Sequence, residues 1–77
     1  MTRQANRTAP LAVRLRELRA GTGLKSGQVA QHVGIDATTL SRLEHGRSLP
    51  SIENAQRLAE FYQVSLDSLL EAKKSEG

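Results

Sequence analysis

The sequence predicts an all-α domain of five short helices, and three observations lead there. Apolar residues make up 38% of the 77, yet there is one Phe, one Tyr and no Trp, so the core must be aliphatic. Leu and Ala propagate helices well, which makes helices the natural carriers of such a core. Apolar residues also recur at helical spacing, as in Leu11, Leu15 and Leu18. Finally, Gly21, Gly23, Gly34, Gly46 and Pro50 interrupt the chain at short intervals. A chain of this length supports one domain with a small core.

Residues 1–9 are polar and aperiodic and read as a flexible N-terminal arm. Pro10, tolerated in a first turn, opens helix one, and Gly21 and Gly23 stop it. Helix two begins around Lys25–Ser26, with Ser26 as candidate N-cap, and ends at His32 or Val33. Gly27 in its first turn costs ~1 kcal/mol against Ala. It is kept for a close backbone approach or is simply tolerated. Gly34 redirects the chain, and Asp36 caps helix three, Ala37 to His45. Gly46 ends that helix, and Arg47, Ser48 and Leu49 lead to Pro50. Ser51 caps helix four, whose apolar face is Ile52, Ala55, Leu58, Ala59 and Tyr62. Phe61 lies off that face, at the core edge or an oligomer contact. Val64-Ser65-Leu66 ends helix four and caps helix five, whose apolar side is Leu66, Leu69 and Leu70. The domain therefore spans 10–72, followed by a frayed tail, 73–77.

From Gly27 to Gly46 the pattern is a helix-turn-helix. Val29, Ala30, Val33, Ile35, Leu40 and Leu43 face inward, while Thr38, Ser41, Arg42 and His45 form the outward stripe of helix three. Glu44 lies beside Leu40 and is drawn inward, where an unpaired carboxylate would be costly. Arg19, flanking the apolar face of helix one, is the partner this predicts. Net charge is +3 but unevenly spread. Residues 1–25 carry Arg3, Arg7, Arg14, Arg16, Arg19 and Lys25 against Glu17, whereas the last third is slightly acidic. Such a one-sided basic surface suits a polyanion.

Other chemistries find little support. There is no cysteine, so disulfides and thiolate chemistry are excluded. His32 and His45 sit on different helices without convergent carboxylates, so no metal site is expected. Ser26 and Ser41 lack an evident base, and no strand–loop–helix phosphate loop occurs. The expectation is a non-enzymatic protein without cofactor, signal peptide or membrane span, working in the cytoplasm.

Gly23-Leu24, Val29-Ala30, Val33-Gly34, Leu40-Ser41-Arg42-Leu43-Glu44, Gly46, Pro50 and Val64-Ser65-Leu66-Asp67-Ser68-Leu69-Leu70 together resemble the Xre family of lambda repressor and Cro type DNA-binding proteins. The resemblance covers about residues 11–70. It implies a five-helix lambda-repressor-like fold with helix three in the major groove. Base contacts then fall on Ala37, Thr38 and Arg42, with Thr39 and Ser41 nearby, and the family's ion pair falls on Arg19 and Glu44. In one departure, Ser26 stands where the family often has Gln bracing helix three. In another, Gln63 replaces a frequent Gly or Asn.

Chemically, Arg42 can donate two parallel bonds to guanine, while Thr38 and Ala37 offer methyl groups to thymine. Phosphate contacts are expected from Lys25, Ser26, Arg47, Ser48 and the first amides of helix two, and from His45, which could also meet a base edge. Arg3 and Arg7 on the arm could reach a minor groove or a phosphate, or belong to a tail without a role. The expected function is a transcriptional repressor binding a near-palindromic operator as a homodimer, with Leu66 and Leu70 either at the dimer contact or internal. An antitoxin gripping a toxin, a restriction-modification controller, or an interaction module without DNA binding are alternatives. The last would show an apolar helix-three face instead of this polar one.

Overall fold

The computed structural model describes residues 8–70. The proposed tail (73–77), Arg3 and Arg7 lie outside them. Five helices follow in order: α1 Thr8–Thr22, α2 Ser26–Val33, α3 Ala37–Glu44, α4 Ile52–Tyr62 and α5 Leu66–Leu70. The protein is thus all-α, as its aliphatic composition requires. α3 packs on α1 and α2, and α4 and α5 close the other side, α4 against α2 and α5 against α1. The core contains Leu11, Leu15, Val29, Leu40, Leu43, Leu58 and Leu69, all nearly inaccessible. Val33, Leu18, Phe61 and Tyr62 seal its edge.

Several boundaries differ from the sequence expectation. α1 begins at Thr8, inside the proposed arm, rather than at Pro10. Pro10 still lies in the first turn, where a missing N–H has no acceptor to leave unpaired. Gly21 does not stop α1. The helix passes through it to Thr22 and turns at Gly23, which adopts φ +76°. Ser26 is not the N-cap of α2. Lys25 holds that position with extended backbone, and Ser26 is the first helical residue. The Gln28 carboxamide accepts the Lys25 N–H at 2.8 Å, so it supplies the back-bond of a capping box. The reciprocal bond is chemically closed, because an ammonium accepts nothing. α3 ends at Glu44, with His45 as its C-cap.

Ile52 and Leu70, assigned to inward faces, are 65% and 44% exposed. Ile52 opens α4 at the margin of the stripe that Ala55, Leu58, Ala59 and Tyr62 define. A Cβ at Gly27 would meet nothing within 4 Å, so no close backbone approach explains that glycine. Gln63 adopts the left-handed conformation, φ 58°, that Gly or Asn would adopt more cheaply.

Candidate nucleic-acid interface

α3 is positioned by both its ends and by its inner face. Asp36 caps the N-terminus, its Oδ2 accepting the Thr38 N–H at 3.0 Å. Leu40 and Leu43, 0% and 1% exposed, anchor the inner face. At the C-terminus Gly46 takes φ +72° and a Schellman turn forms. There the Gly46 N–H donates to the Leu43 carbonyl at 3.3 Å, and the Arg47 N–H to that of Arg42 at 2.9 Å.

Beneath that terminus lies the predicted ion pair. Arg19 Nε donates to Glu44 Oε2 at 2.8 Å, with the carboxylate side chain 3% exposed and the arginine 27%. Arg19 Nη1 also reaches the Leu24 carbonyl at 3.3 Å, tying the α1–α2 turn to the same cluster. Tyr62 sits nearby with a buried hydroxyl that has no hydrogen-bond partner among the described residues. Desolvation, reinforced by the Glu44 carboxylate and opposed by Arg19, pushes its pKa up from 10.0 to about 12.

The residues expected to contact bases divide by exposure. Ala37, Thr38 and Arg42 are exposed, whereas Thr39 and Ser41 are half-buried. Of the residues expected at phosphates, Lys25, His45 and Arg47 are exposed, and Ser26 and Ser48 are half-buried. α3 therefore presents Arg42 in its last turn, with His45 at its C-cap, and Ala37 and Thr38 in its first.

His45 Nδ1 lies 2.7 Å from the Ser41 carbonyl and 3.4 Å from its hydroxyl. A carbonyl only accepts, so Nδ1 carries the proton and Nε2 is left for a ligand. Nε2 accepts from a base edge when the ring is neutral. It can donate to a phosphate oxygen only when the ring is an imidazolium.

Some contributors were not singled out from the sequence. Arg16 donates to the backbone carbonyl of Glu44. Arg57 bonds the Gly34 carbonyl at 3.2 Å and Glu53 at 2.9 Å, bracing the turn between α2 and α3. His32 stacks on Phe61 with centroids 5.9 Å apart. The clue for Arg16 was its spacing, three residues before Arg19 on the helix predicted to meet α3.

Residues 10–72 match the helix-turn-helix domain family. Over 61 residues the chain is 44% identical to the HTH-type transcriptional regulator DdrOP3 of Deinococcus deserti, covering 79% of this chain and 47% of the relative. It is 32% identical over 56 residues to the cryptic phage CTXphi transcriptional repressor RstR of Vibrio cholerae, covering 73% and 50%. It is 30% identical over 61 residues to the HTH-type transcriptional activator BcrR of Enterococcus faecalis, covering 79% and 30%. The chain thus spans half or less of the length of these relatives. No solved structure matches it at comparable significance. Among the described residues, no helix is long and apolar enough to cross a membrane.

Proposed function

We infer that this chain, which belongs to the helix-turn-helix domain family, is a DNA-binding transcription regulator that reads the major groove with α3. One observation carries the reading. α3 buries Leu40 and Leu43 completely while exposing Thr38 and Arg42 on its other side, with Ala37 exposed in its first turn and His45 at its C-cap. An eight-residue helix anchored on one face with hydrogen-bonding and cationic groups on the other fits a groove about 12 Å wide.

In this reading Arg42 donates two bonds to guanine O6 and N7, and Thr38 and Ala37 contact the preceding bases through methyl groups. Thr39 and Ser41, half-buried, meet bases only at the margin. Lys25, Arg47, Ser48, the Ser26 end of α2 and His45 hold phosphates and set register. A homodimer, with the exposed Leu70 and the neighbouring Leu66 of α5 at its contact, would place two copies of α3 about 34–36 Å apart on a near-palindromic site. The protein acts in the cytoplasm as a repressor where that site overlaps a promoter. The relatives' names include both a repressor and an activator, so the sign of regulation depends on where the site lies.

The test is selection of bound duplexes from a random pool, with affinity followed against salt. An enriched palindrome and a steep loss of affinity with salt are expected. Absence of enrichment, or binding indifferent to salt, overturns the reading. Arg42→Ala should relax preference at one base pair per half-site, by ~1–3 kcal/mol. Arg47→Ala should instead weaken all sequences alike.

A further inference from the structure

The end of an α-helix leaves its last four carbonyls without partners inside the helix. In α3 these belong to Ser41, Arg42, Leu43 and Glu44. The chain itself satisfies three: His45 N–H bonds Ser41, Arg47 N–H bonds Arg42, and Gly46 N–H bonds Leu43. The fourth is satisfied by another helix, because Arg16 of α1 donates through Nη1 to the Glu44 carbonyl. One residue of α3 is therefore held twice from α1, its side chain by Arg19 and its backbone by Arg16.

We propose that Arg16 is a positioning residue for base recognition: it fixes the seating of α3 and so aims Arg42, without itself touching DNA. The inference rests on the DNA-reading function above. α3 is two turns long, so its own hydrogen bonds do little to hold its direction. The Arg19–Glu44 contact alone restrains a side chain, and a side chain can rotate while the helix tilts. Adding a bond to the backbone carbonyl removes that freedom. Arg42 lies two residues before the clamped carbonyl, in the same turn, so a tilt there displaces its guanidinium from a bidentate geometry that tolerates well under an ångström. Arg16 also places a full positive charge on the helix end that carries roughly half a negative one.

The experiment compares the full chain with Arg16→Ala and Arg16→Lys on the selected duplex and on a scrambled one. Arg16→Ala should lose about tenfold in preference for the selected duplex while the slope of log affinity against log salt is unchanged. Arg16→Lys should recover part of the preference, because an ammonium can still donate to a single carbonyl. In the free protein, Arg16→Ala should speed amide exchange at His45, Gly46 and Arg47 relative to the core. Equal weakening on both duplexes with a salt slope reduced by about one would make Arg16 a phosphate contact and overturn the proposal. Unchanged preference overturns it too. If the wild type selects no duplex, the DNA-reading function fails, and unchanged exchange at those three amides rejects the clamp independently.

Discussion

The two ends of α3 are held by different means. The N-terminus is finished locally, by an aspartate two residues before the amide it caps. The C-terminus needs a glycine turn of its own and two arginines from a helix more than twenty residues earlier. A helix end finished by its own sequence keeps its shape, and its direction is left to the packing and to the Arg57 brace on the preceding turn. An end gripped by another helix is fixed relative to the whole domain. In this protein the gripped end is the one that carries Arg42 and His45.

That contrast can be broken most severely at Arg19. Arg19→Ala leaves Glu44 buried without its cation, and breaking such a pair costs about 3 kcal/mol, the low end of the range because Arg19 is partly in water. Urea denaturation measures it, and a loss below about 1 kcal/mol would mean that Glu44 is easily rehydrated or protonated. Alkali tests the same corner. The folded state keeps the Tyr62 proton up to about pH 12, whereas the unfolded chain releases it near 10.0. Stability is therefore indifferent to this group below pH 10 and falls as pH rises towards 12, by about 2 kcal/mol once the partial exposure of Tyr62 is discounted. Tyr62→Phe should remove that alkaline limb and cost nothing at neutral pH, since the lost hydroxyl has no partner among the described residues. An identical pH profile in the variant would argue against the assignment.

The local end should yield less. Asp36→Ala removes one cap bond and is expected to cost ~1 kcal/mol, lowering Tm by about 5 °C. Because the other end stays clamped, preference between duplexes should change less than in Arg16→Ala, and a larger change would reverse the ranking of the two ends. The smallest effect is expected at Gly27. With open space around its Cβ and φ outside the left-handed region, Gly27→Ala should stabilise by ~0.5–1 kcal/mol. A thermal melt that moves down instead would reveal a need for glycine there.

Much of the fold was legible because its signals are local. Asp36 and Ser51 stand before apolar periodicity, and each accepts the amide its position predicts, at 3.0 and 3.1 Å. Gly34 and Gly46 stand where the chain turns with positive φ. Even the Arg19–Glu44 pair could be anticipated, because a carboxylate on an apolar face demands a cation. Ser26 misled because a residue's capping propensity does not reveal which position the helix starts from. Ile52 misled because periodicity does not tell that a first turn projects past the core.

By itself, the sequence determined the all-α class, the order of the helices, most of each apolar face and the exposure of Thr38 and Arg42 on α3, since each follows from spacing along the chain. Only the tertiary structure decided how the last carbonyl of α3 is satisfied and which nitrogen of His45 is left for a ligand. It also decided that the Tyr62 hydroxyl is buried without a partner among the described residues. A backbone acceptor is the same at every residue, so nothing in the letters marks Glu44 as the one awaiting Arg16. That choice is made when α1 and α3 pack together.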